Sequence, residues 1–360
     1  MNKNIEKITV IIFYTILTLL SVLNLLKSEV SFSDNENRVL TKFGDIKIND
    51  IFDGEIDEKV EKYLSDQFIF RDSFVSLNTW TKLRIGYFEI NDVYFGEDGY
   101  LFNKYDYSYN KYLNKNIEYV NDFVKDKNVY FTLVPSSGGI VDKLPKYAYS
   151  FDEEIIIDYI YSKLNTNNVN LYNKLENQEN IYYKLDHHWN HLGSYIGYKT
   201  IIKEMLNEEV DNFQYELVSN DFKGTTYSKS GAFWLQGEDL YKIKLNNGLR
   251  SLLIDDKESN SIYFDERLDT KDKYSYYLDG NHALVQIESD INNGKHLLLI
   301  KDSYAHILMP YLMSNYETIT MVDLRYYNQN IHELKNKNTD ILFVYSLEGF
   351  VNDTSLYKLK

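Results

Sequence analysis

The stretch His296-Leu297-Leu298-Leu299-Ile300, followed by Lys301-Asp302-Ser303-Tyr304, decides the fold and most of the chemistry. Its continuous apolar run is typical of a strand buried on both faces. Residues 304–309 contain neither glycine nor proline, which predicts a helix over about 304–314. Ser303 therefore falls on a sharp strand-to-helix turn, where the backbone N–H groups of the helix start point toward it. This is a favourable position for a nucleophilic serine.

A second stretch, Asp186-His187-His188-Trp189, supplies what such a serine needs. A serine hydroxyl becomes a nucleophile when a base lies within hydrogen-bonding distance and a third group orients that base. Asp186 and His188 offer a carboxylate and an imidazole two residues apart. We predict an acyl-transfer site with Ser303 as nucleophile, His188 as base and Asp186 as orienting group.

The histidines also allow other interpretations. His187, His188 and His191, together with Asp186, could ligate zinc or iron, because nitrogen and oxygen ligands suit both metals. A purely structural loop is a third interpretation. The spacing of the residues alone leaves all three open.

Apolar runs typical of strands alternate with periodic segments typical of helices along most of the chain. Strands are predicted near 128–134, 168–172, 283–287, 297–300, 318–322 and 341–345, and helices near 114–126, 153–164 and 192–206. This alternation predicts an α/β fold with a mainly parallel sheet flanked by helices. Residues 209–280 are mixed and charged, and we interpret them as an inserted α+β segment or lid.

The N-terminal region predicts a membrane anchor. Lys3 and Lys7 precede the apolar residues 8–26, a run long enough to span a bilayer. No small-residue cleavage pattern follows, so an uncleaved signal anchor is favoured over a cleaved signal peptide. Residues 1–27 then form the cytoplasmic tip and anchor, 28–50 a juxtamembrane linker, and 51–360 a catalytic domain outside the cytoplasm. Helices are predicted near 56–64 and 70–77, and a hairpin near 91–102.

Composition excludes several classes of function. The formal net charge of -15, from 54 acidic and 39 basic residues, argues against binding nucleic acid through its phosphates. The absence of cysteine excludes disulfides and thiolate metal sites. The 34 Tyr and 19 Phe are explained by codon bias in an AT-rich genome or by aromatic clefts that suit sugar rings.

Beyond these patterns, the chain resembles the DHHW-motif protein family, which is related to the alginate O-acetylation proteins (AlgX/AlgJ-like) and to the broader SGNH-hydrolase-like group. The resemblance covers nearly the whole region after the anchor. It rests on Asp186-His187-His188-Trp189-Asn190 and on six further motifs: Glu36-Asn37-Arg38, residues 63–68 with Arg71-Asp72, residues 96–102, Lys143-Leu144-Pro145, residues 300–305 and residues 322–327.

The resemblance implies an SGNH-like domain with a Ser-His-Asp triad in which the Asp-x-His element precedes the serine. Carried over by motif, the triad is Ser303, His188 and Asp186; His187 receives no catalytic role. The implied activity is O-acetyl transfer to an exopolysaccharide or cell-wall polymer, without a cofactor. A multi-spanning membrane O-acyltransferase is the implied acetyl donor. An esterase with the same triad and a non-catalytic polysaccharide-binding or assembly protein are the alternatives.

Further site residues are expected around this triad. The backbone N–H groups of Ser303 and Tyr304 are candidate oxyanion donors. Relatives use a glycine and an asparagine for this role, and the candidates for a second donor are Gly138, Gly139 and Asn281. The candidates for substrate binding are Arg325, Tyr304 and Trp189.

Overall fold

The structure is a computed structural model that describes residues 3–107, 111–124, 128–210, 212–334 and 339–360. The chain divides into two compact units. The first comprises residues 1–87 and 227–235, and the second comprises residues 88–226 and 236–360. The C-terminal end of the helix predicted near 114–126 lies outside the described residues.

The first unit begins with the predicted apolar helix. The stretch of residues 4–26 in this helix is long and apolar enough to cross a membrane, and none of these residues is buried. Strands β1 and β2 follow and pair with each other. Three helices come next, and the last two match the helices predicted near 56–64 and 70–77. The elements are α1 (Lys3–Leu26), β1 (Phe32–Ser33), β2 (Arg38–Val39), α2 (Asn49–Asp53), α3 (Ile56–Asp66) and α4 (Arg71–Arg84).

The second unit is built on an eight-stranded sheet with two smaller sheets beside it. In chain order its strands are β3 (Glu89–Ile90), β4 (Val93–Phe95), β5 (Leu101–Asn103), β6 (Val129–Val134), β7 (Asn167–Asn170), β8 (Tyr215–Phe222), β9 (Glu238–Ile243), β10 (Leu249–Ile254), β11 (Lys257–Glu258), β12 (Leu284–Ser289), β13 (His296–Lys301), β14 (Thr318–Val322) and β15 (Thr339–Ser346). The large sheet has the order β11-β10-β12-β14-β13-β15-β6-β7.

The large sheet is mainly parallel, as predicted, but one edge is not. β14, β13, β15, β6 and β7 pair in parallel, whereas β12, β10 and β11 add an antiparallel edge. No α-helix connects the strands of this edge: a tight turn joins β10 to β11, and a segment with two short 3-10 helices, Asp265–Asp269 and Lys273–Tyr276, joins β11 to β12. β8 and β9 pair with each other outside the large sheet, and β3, β4 and β5 form a three-stranded sheet that contains the predicted hairpin.

The helices of the second unit include the three long ones that the sequence predicts, within a few residues of the expected bounds. They are α5 (Leu113–Phe123), α6 (Ser137–Ile140), α7 (Glu153–Lys163), α8 (Tyr172–Leu175), α9 (His191–Leu206), α11 (Met309–Leu312) and α12 (Leu347–Asn352), whereas α10 (Thr225–Ser230) begins in the second unit and ends in the first. The helix predicted over 304–314 is wrong in type: a 3-10 helix covers Ser303–Leu308, and one turn of α11 follows.

Strand β13 lies at the centre of the core, between β14 and β15. Its side chains alternate between two apolar clusters on opposite faces of the sheet. Leu297 and Leu299 pack in the cluster that contains α9, and Leu298 and Ile300 pack in the cluster that contains α5 and α7. Burial on both faces explains the continuous apolar run of the sequence. It also fixes the carboxyl end of β13, where Ser303 follows, on the most buried strand of the unit.

Helix α9 lies close to the loop that contains Asp186 to Trp189. A Cβ added at Gly197 of this helix would lie 2.6 Å from the indole ring of the buried Trp189. We predict that Gly197→Ala lowers the free energy of unfolding by about 1–3 kcal/mol, since it overpacks a dense contact. Lys199→Ala, at an exposed position of the same helix, is the control and should change it by less than about 0.5 kcal/mol. Urea unfolding of the full chain in detergent measures both; equal stability of the two variants would contradict the close contact.

Candidate functional site

Ser303 follows β13 at the start of the 3-10 helix, and Asp302 fixes this turn. The Asp302 carboxylate is buried and accepts hydrogen bonds from the Tyr304 N–H (3.0 Å) and from the N–H and hydroxyl of Ser346 (both 2.7 Å). Because Ser346 ends the neighbouring strand β15, one carboxylate joins the ends of two central strands. Ser303 itself remains half-buried at the edge of the sheet.

The loop that carries Asp186 and His188 is held from both sides. Tyr182 and Trp189 form an antiparallel bridge across its base, and the side chain of Asn190 caps α9 directly after it. Upstream, the Glu238 carboxylate accepts the backbone N–H groups of Lys184 and Leu185, each at 2.7 Å. The loop therefore has fixed ends, although it contains no helix or strand of its own.

The three predicted triad side chains meet in one hydrogen-bonded line. Nδ1 of His188 lies 2.5 Å from Oδ1 of Asp186, and Nε2 lies 2.9 Å from the hydroxyl oxygen of Ser303. An ionised carboxylate only accepts, so Nδ1 carries the proton and Nε2 is left to accept the Ser303 hydroxyl. This arrangement matches the roles of base and orienting group that serine nucleophiles require.

Asp186 is almost fully buried, and both of its carboxylate oxygens are used. Oδ1 accepts the His188 bonds, and Oδ2 accepts the Thr225 N–H at 2.8 Å and its hydroxyl at 3.3 Å. Burial alone would raise the pKa of Asp186, but the adjacent imidazoles and their hydrogen bonds hold it well below its ordinary value. The carboxylate is therefore ionised at neutral pH and orients His188 as a charge.

The imidazole of His188 is enclosed by aromatic rings. Tyr274 stacks on it with ring centroids 3.9 Å apart and planes 10° apart, and Tyr304 lies on another side at 4.9 Å. Both tyrosines are buried. This burial lowers the pKa of His188 below its usual range, an effect that the charge of Asp186 opposes. His188 is consequently neutral near pH 7 and available as a base.

The metal interpretation competes with this arrangement. Ligand atoms of Asp186, His187 and His188 all lie within 4.8 Å of one another, close enough to hold an ion. Both ring nitrogens of His188, however, already face Asp186 and Ser303, so an ion there would displace one of them. Nδ1 of His187 lies 2.7 Å from the Thr225 hydroxyl. The His191 ring packs between Tyr215 and Tyr241 instead, where burial lowers its pKa to about 4.

With this geometry in place, the comparisons with known proteins identify the family. The family model for the DHHW protein matches residues 89–322. The chain belongs to the DHHW protein family. The matched region contains both the Asp186-to-Trp189 loop and Ser303. A search of curated proteins finds no significant match.

Solved structures show the same fold. A DHHW family protein from Eubacterium siraeum is 25% identical, with a TM-score of 0.66, and the alignment covers 75% of this chain and 95% of that one. Bacillus cereus PatB1 is 24% identical with a TM-score of 0.61, covering 73% of this chain and 98% of that one. Its complex with a sulfonyl adduct aligns with a TM-score of 0.61 at 22% identity, covering 73% and 97%.

The remaining candidates of this DHHW protein occupy different positions. The Tyr304 N–H donates to Asp302, and its hydroxyl donates to the His187 carbonyl at 2.5 Å. Gly138 and Gly139 follow β6, which β15 separates from β13, and the Gly139 N–H donates to Ser136. Among the candidate backbone donors, the N–H groups of Tyr304 and Gly139 are already used within the described part of the chain, and the Ser303 N–H lies at the reacting hydroxyl itself.

Of the three candidates for substrate binding, Trp189 lies in the core rather than at a surface, Tyr304 is also buried, and Arg325 is partly exposed. Trp189 is fully buried, and its ring N–H donates to the Tyr304 carbonyl at 3.0 Å, so it belongs to the core. Arg325 follows β14, directly beside β13, and its side chain is 40% exposed. Its guanidinium donates to the buried Asp323 carboxylate (2.9 and 2.6 Å) and to the Asn281 side chain (3.2 Å).

Three residues that approach Asp186 or His188 directly were not predicted, and all three lie in residues 209–280. Thr225 holds the second oxygen of Asp186, and Tyr274 covers His188. At Gly224, an added Cβ would lie 2.0 Å from Oδ2 of Asp186. The only sequence signal was an isolated glycine before two threonines, which does not reveal a partner about forty residues upstream.

We predict that Gly224→Ala disturbs the triad, because the new methyl group must displace the Asp186 carboxylate or its own backbone. The expected result is an at least tenfold slower reaction of Ser303 with a sulfonyl fluoride, measured by mass spectrometry of the full chain. Gly44→Ala is the matched control, since a Cβ there meets nothing within 4 Å. Unchanged labelling in Gly224→Ala would mean that Asp186 does not depend on this close approach.

Proposed function

We propose that this DHHW protein is an extracytoplasmic O-acetyltransferase that transfers an acetyl group, through an acyl-serine at Ser303, to hydroxyl groups of an exopolysaccharide or cell-wall polymer. The observation that carries the proposal is the hydrogen-bonded line from Asp186 through His188 to Ser303. The family membership supports it, because the sequence resembles the alginate O-acetylation proteins of the SGNH-hydrolase-like group.

In the first step, Nε2 of His188 takes the proton of the Ser303 hydroxyl while its oxygen attacks the carbonyl carbon of an acetyl ester. The bond between that carbon and the donor oxygen then breaks, and His188 returns the proton to the departing donor. In the second step, an acceptor hydroxyl gives its proton to His188 and attacks the acyl carbon. The Ser303 oxygen leaves and regains the proton, so the enzyme is restored without a cofactor.

The negative charge that forms on the carbonyl oxygen needs preorganised donors. The Ser303 N–H is our candidate for the first, because it lies at the reacting atom. One such donor is worth roughly 3–4 kcal/mol in transition-state stabilisation. Loops after β14 and β15 flank Ser303, since these strands neighbour β13, and we place the second donor there rather than at Gly138 or Gly139.

Transfer to a sugar hydroxyl rather than to water requires that water be kept from the base. The stacked ring of Tyr274 and the burial of Asp186 and His188 favour this, because only the half-buried Ser303 faces the surface. Arg325 is proposed to bind the acceptor or the donor, since Asp323 fixes its guanidinium beside the strand that carries Ser303. α1 is proposed to anchor the protein in the cell membrane, where a multi-spanning O-acyltransferase supplies the acetyl group.

The triad proposal predicts that Ser303→Ala and His188→Ala each reduce turnover of a chromogenic acetyl ester by about 10⁴-fold, because either change removes the nucleophile or its base. A saccharide acceptor should accelerate turnover by the wild type and become acetylated. His296→Gln is the matched control: it removes an imidazole that contacts Thr318 at the far end of β13, and it should retain full turnover.

A chelator arm distinguishes the interpretations. If chelator abolishes turnover and Ser303→Ala does not, the site is a metal site at Asp186, His187 and His188. If both substitutions abolish turnover but no saccharide is ever acetylated, the protein is an esterase. Binding of a polymer without any turnover by the wild type would favour the non-catalytic role.

The pH dependence should report the neutral state of His188. Its pKa is lowered by burial, so the base stays unprotonated to below its ordinary pKa of about 6.5. We predict that kcat/KM is constant from neutral pH down to about 6.5 and falls tenfold per pH unit further below, as protonation removes the base. An acid-side midpoint above the ordinary value of about 6.5 would show that the Asp186 charge, which raises this pKa, outweighs burial.

A further inference from the structure

Exposed apolar side chains concentrate in the segment of the first unit that follows α1. Between Val30 and Tyr87, fifteen large apolar residues are exposed, against eight in the described part of the whole second unit. Soluble proteins seldom leave a contiguous apolar surface open, and such a surface marks contact with a membrane or another protein. Six of the fifteen belong to the helical hairpin of α3 and α4, namely Val60, Leu64, Phe70, Phe74, Leu77 and Trp80, so this hairpin is the part of the unit that most needs a covering surface.

The exposed face of α4 is ordered along the helix. Phe70, Phe74 and Leu77 recur at spacings of four and three residues, which places them on one side, and Trp80 extends the row. Their exposed fractions are 59%, 46%, 56% and 48%. Beside this row, a groove of about 690 Å³ runs between α3 and α4, with Val60 and Leu64 among its lining residues.

This row begins where α1 ends. The Ile69 N–H donates to the side-chain oxygen of Asn24 at 3.0 Å, and Nζ of Lys27 donates to the Gln67 carbonyl at 3.3 Å. The turn between α3 and α4 is therefore bound to the last turn of α1. Phe70 is the next residue after Ile69, and its positive φ of 58° starts α4 there.

We propose that the α4 face, formed by Phe70, Phe74, Leu77 and Trp80, lies in the outer headgroup region of the membrane that α1 spans. The inference rests on α1 being the membrane anchor. If α1 spans the bilayer, its last turn reaches the boundary of the hydrocarbon core, and the bound turn holds Phe70 at that depth. A bilayer surface is the occupant that this position favours.

The chemistry of α4 suits an interfacial helix. Aromatic residues, tryptophan above all, concentrate at the boundary between hydrocarbon and headgroups, and helices with an apolar row and cationic ends lie in that plane. The guanidinium of Arg84 lies 5.2 Å from the centre of the Trp80 ring, and Lys82 is in the same last turn. These cations are placed to meet lipid phosphates while the indole enters the boundary.

Lipid-borne quenching tests this contact in the full chain. The protein carries Trp234→Phe, so that Trp80 and the fully buried Trp189 remain, and it is reconstituted into phosphatidylethanolamine–phosphatidylglycerol liposomes. Lipids brominated near the top of their acyl chains should reduce the Trp80 emission at least twofold. The matched reporter is Trp80→Phe with Tyr147→Trp, an aromatic position of the second unit that is 74% exposed, and it should not be quenched.

A third reporter separates the failure of this inference from the failure of the anchor. Tyr14→Trp, placed within α1 in a Trp80→Phe background, should be quenched by lipids brominated deep in their chains. If it is not, α1 does not span the bilayer and the anchor proposal falls. If it is quenched but Trp80 responds to aqueous iodide and not to brominated lipid, the bilayer contact is overturned and a protein partner is the remaining occupant.

Discussion

The site depends on the hydrogen bonds that the buried carboxylate of Asp302 accepts. The carboxylate accepts one hydrogen bond from the turn that follows it and two from Ser346, and so joins the ends of β13 and β15. A carboxylate buried without hydrogen-bond donors would strongly destabilise the fold. The Tyr304 N–H and Ser346 are therefore held at Asp302 by the free energy that would be lost if they moved away. The consequence for function is positional: the strand is fixed by burial on both faces, its end is fixed by Asp302, and Ser303 is the first residue beyond both constraints.

His188 reaches Ser303 from a loop that has no regular secondary structure. Hydrogen bonds between backbone N–H groups and carboxylates hold this loop in place. The Thr225 N–H donates to Oδ2 of Asp186, and the Glu238 carboxylate accepts the N–H groups of Lys184 and Leu185. Burial raises the pKa of Glu238 to about 7, with these two bonds opposing the shift. Protonation below that pH would weaken its hold on the loop while Asp186 stays ionised. Acid therefore acts first on Glu238, which holds the loop, and only at lower pH on Asp186 within it.

The sequence was sufficient where the signal is local, because the long helices and central strands follow from periodicity and apolar runs. For Ser303, His188 and Asp186, the requirements of a serine nucleophile gave one of three interpretations, and the family resemblance favoured it. It failed where the partner is distant: nothing in the residues around Gly224 or Tyr274 indicates contact with Asp186 or His188. It also failed for residues 304–314, because Pro310 has no N–H to donate within a continuous α-helix, and a 3-10 helix followed by one turn of α11 forms instead. Trp189 was misplaced because an aromatic residue in a motif suits a substrate surface and a core equally well.

These failures have a common physical origin. Two supports of Asp186 have no side-chain signature: the Thr225 N–H is a group that nearly every residue possesses, and the closeness of Gly224 to the carboxylate is a distance that residue identity does not report. The residues that react must have particular side chains, whereas the residues that hold them need only the right place. A motif therefore records the reacting groups, and the three-dimensional structure is required to find what orients them. In this protein the residues that support Asp186 and His188 directly, Gly224, Thr225 and Tyr274, lie in residues 209–280, the segment whose sequence was least informative, and the Glu238 carboxylate of the same segment holds their loop.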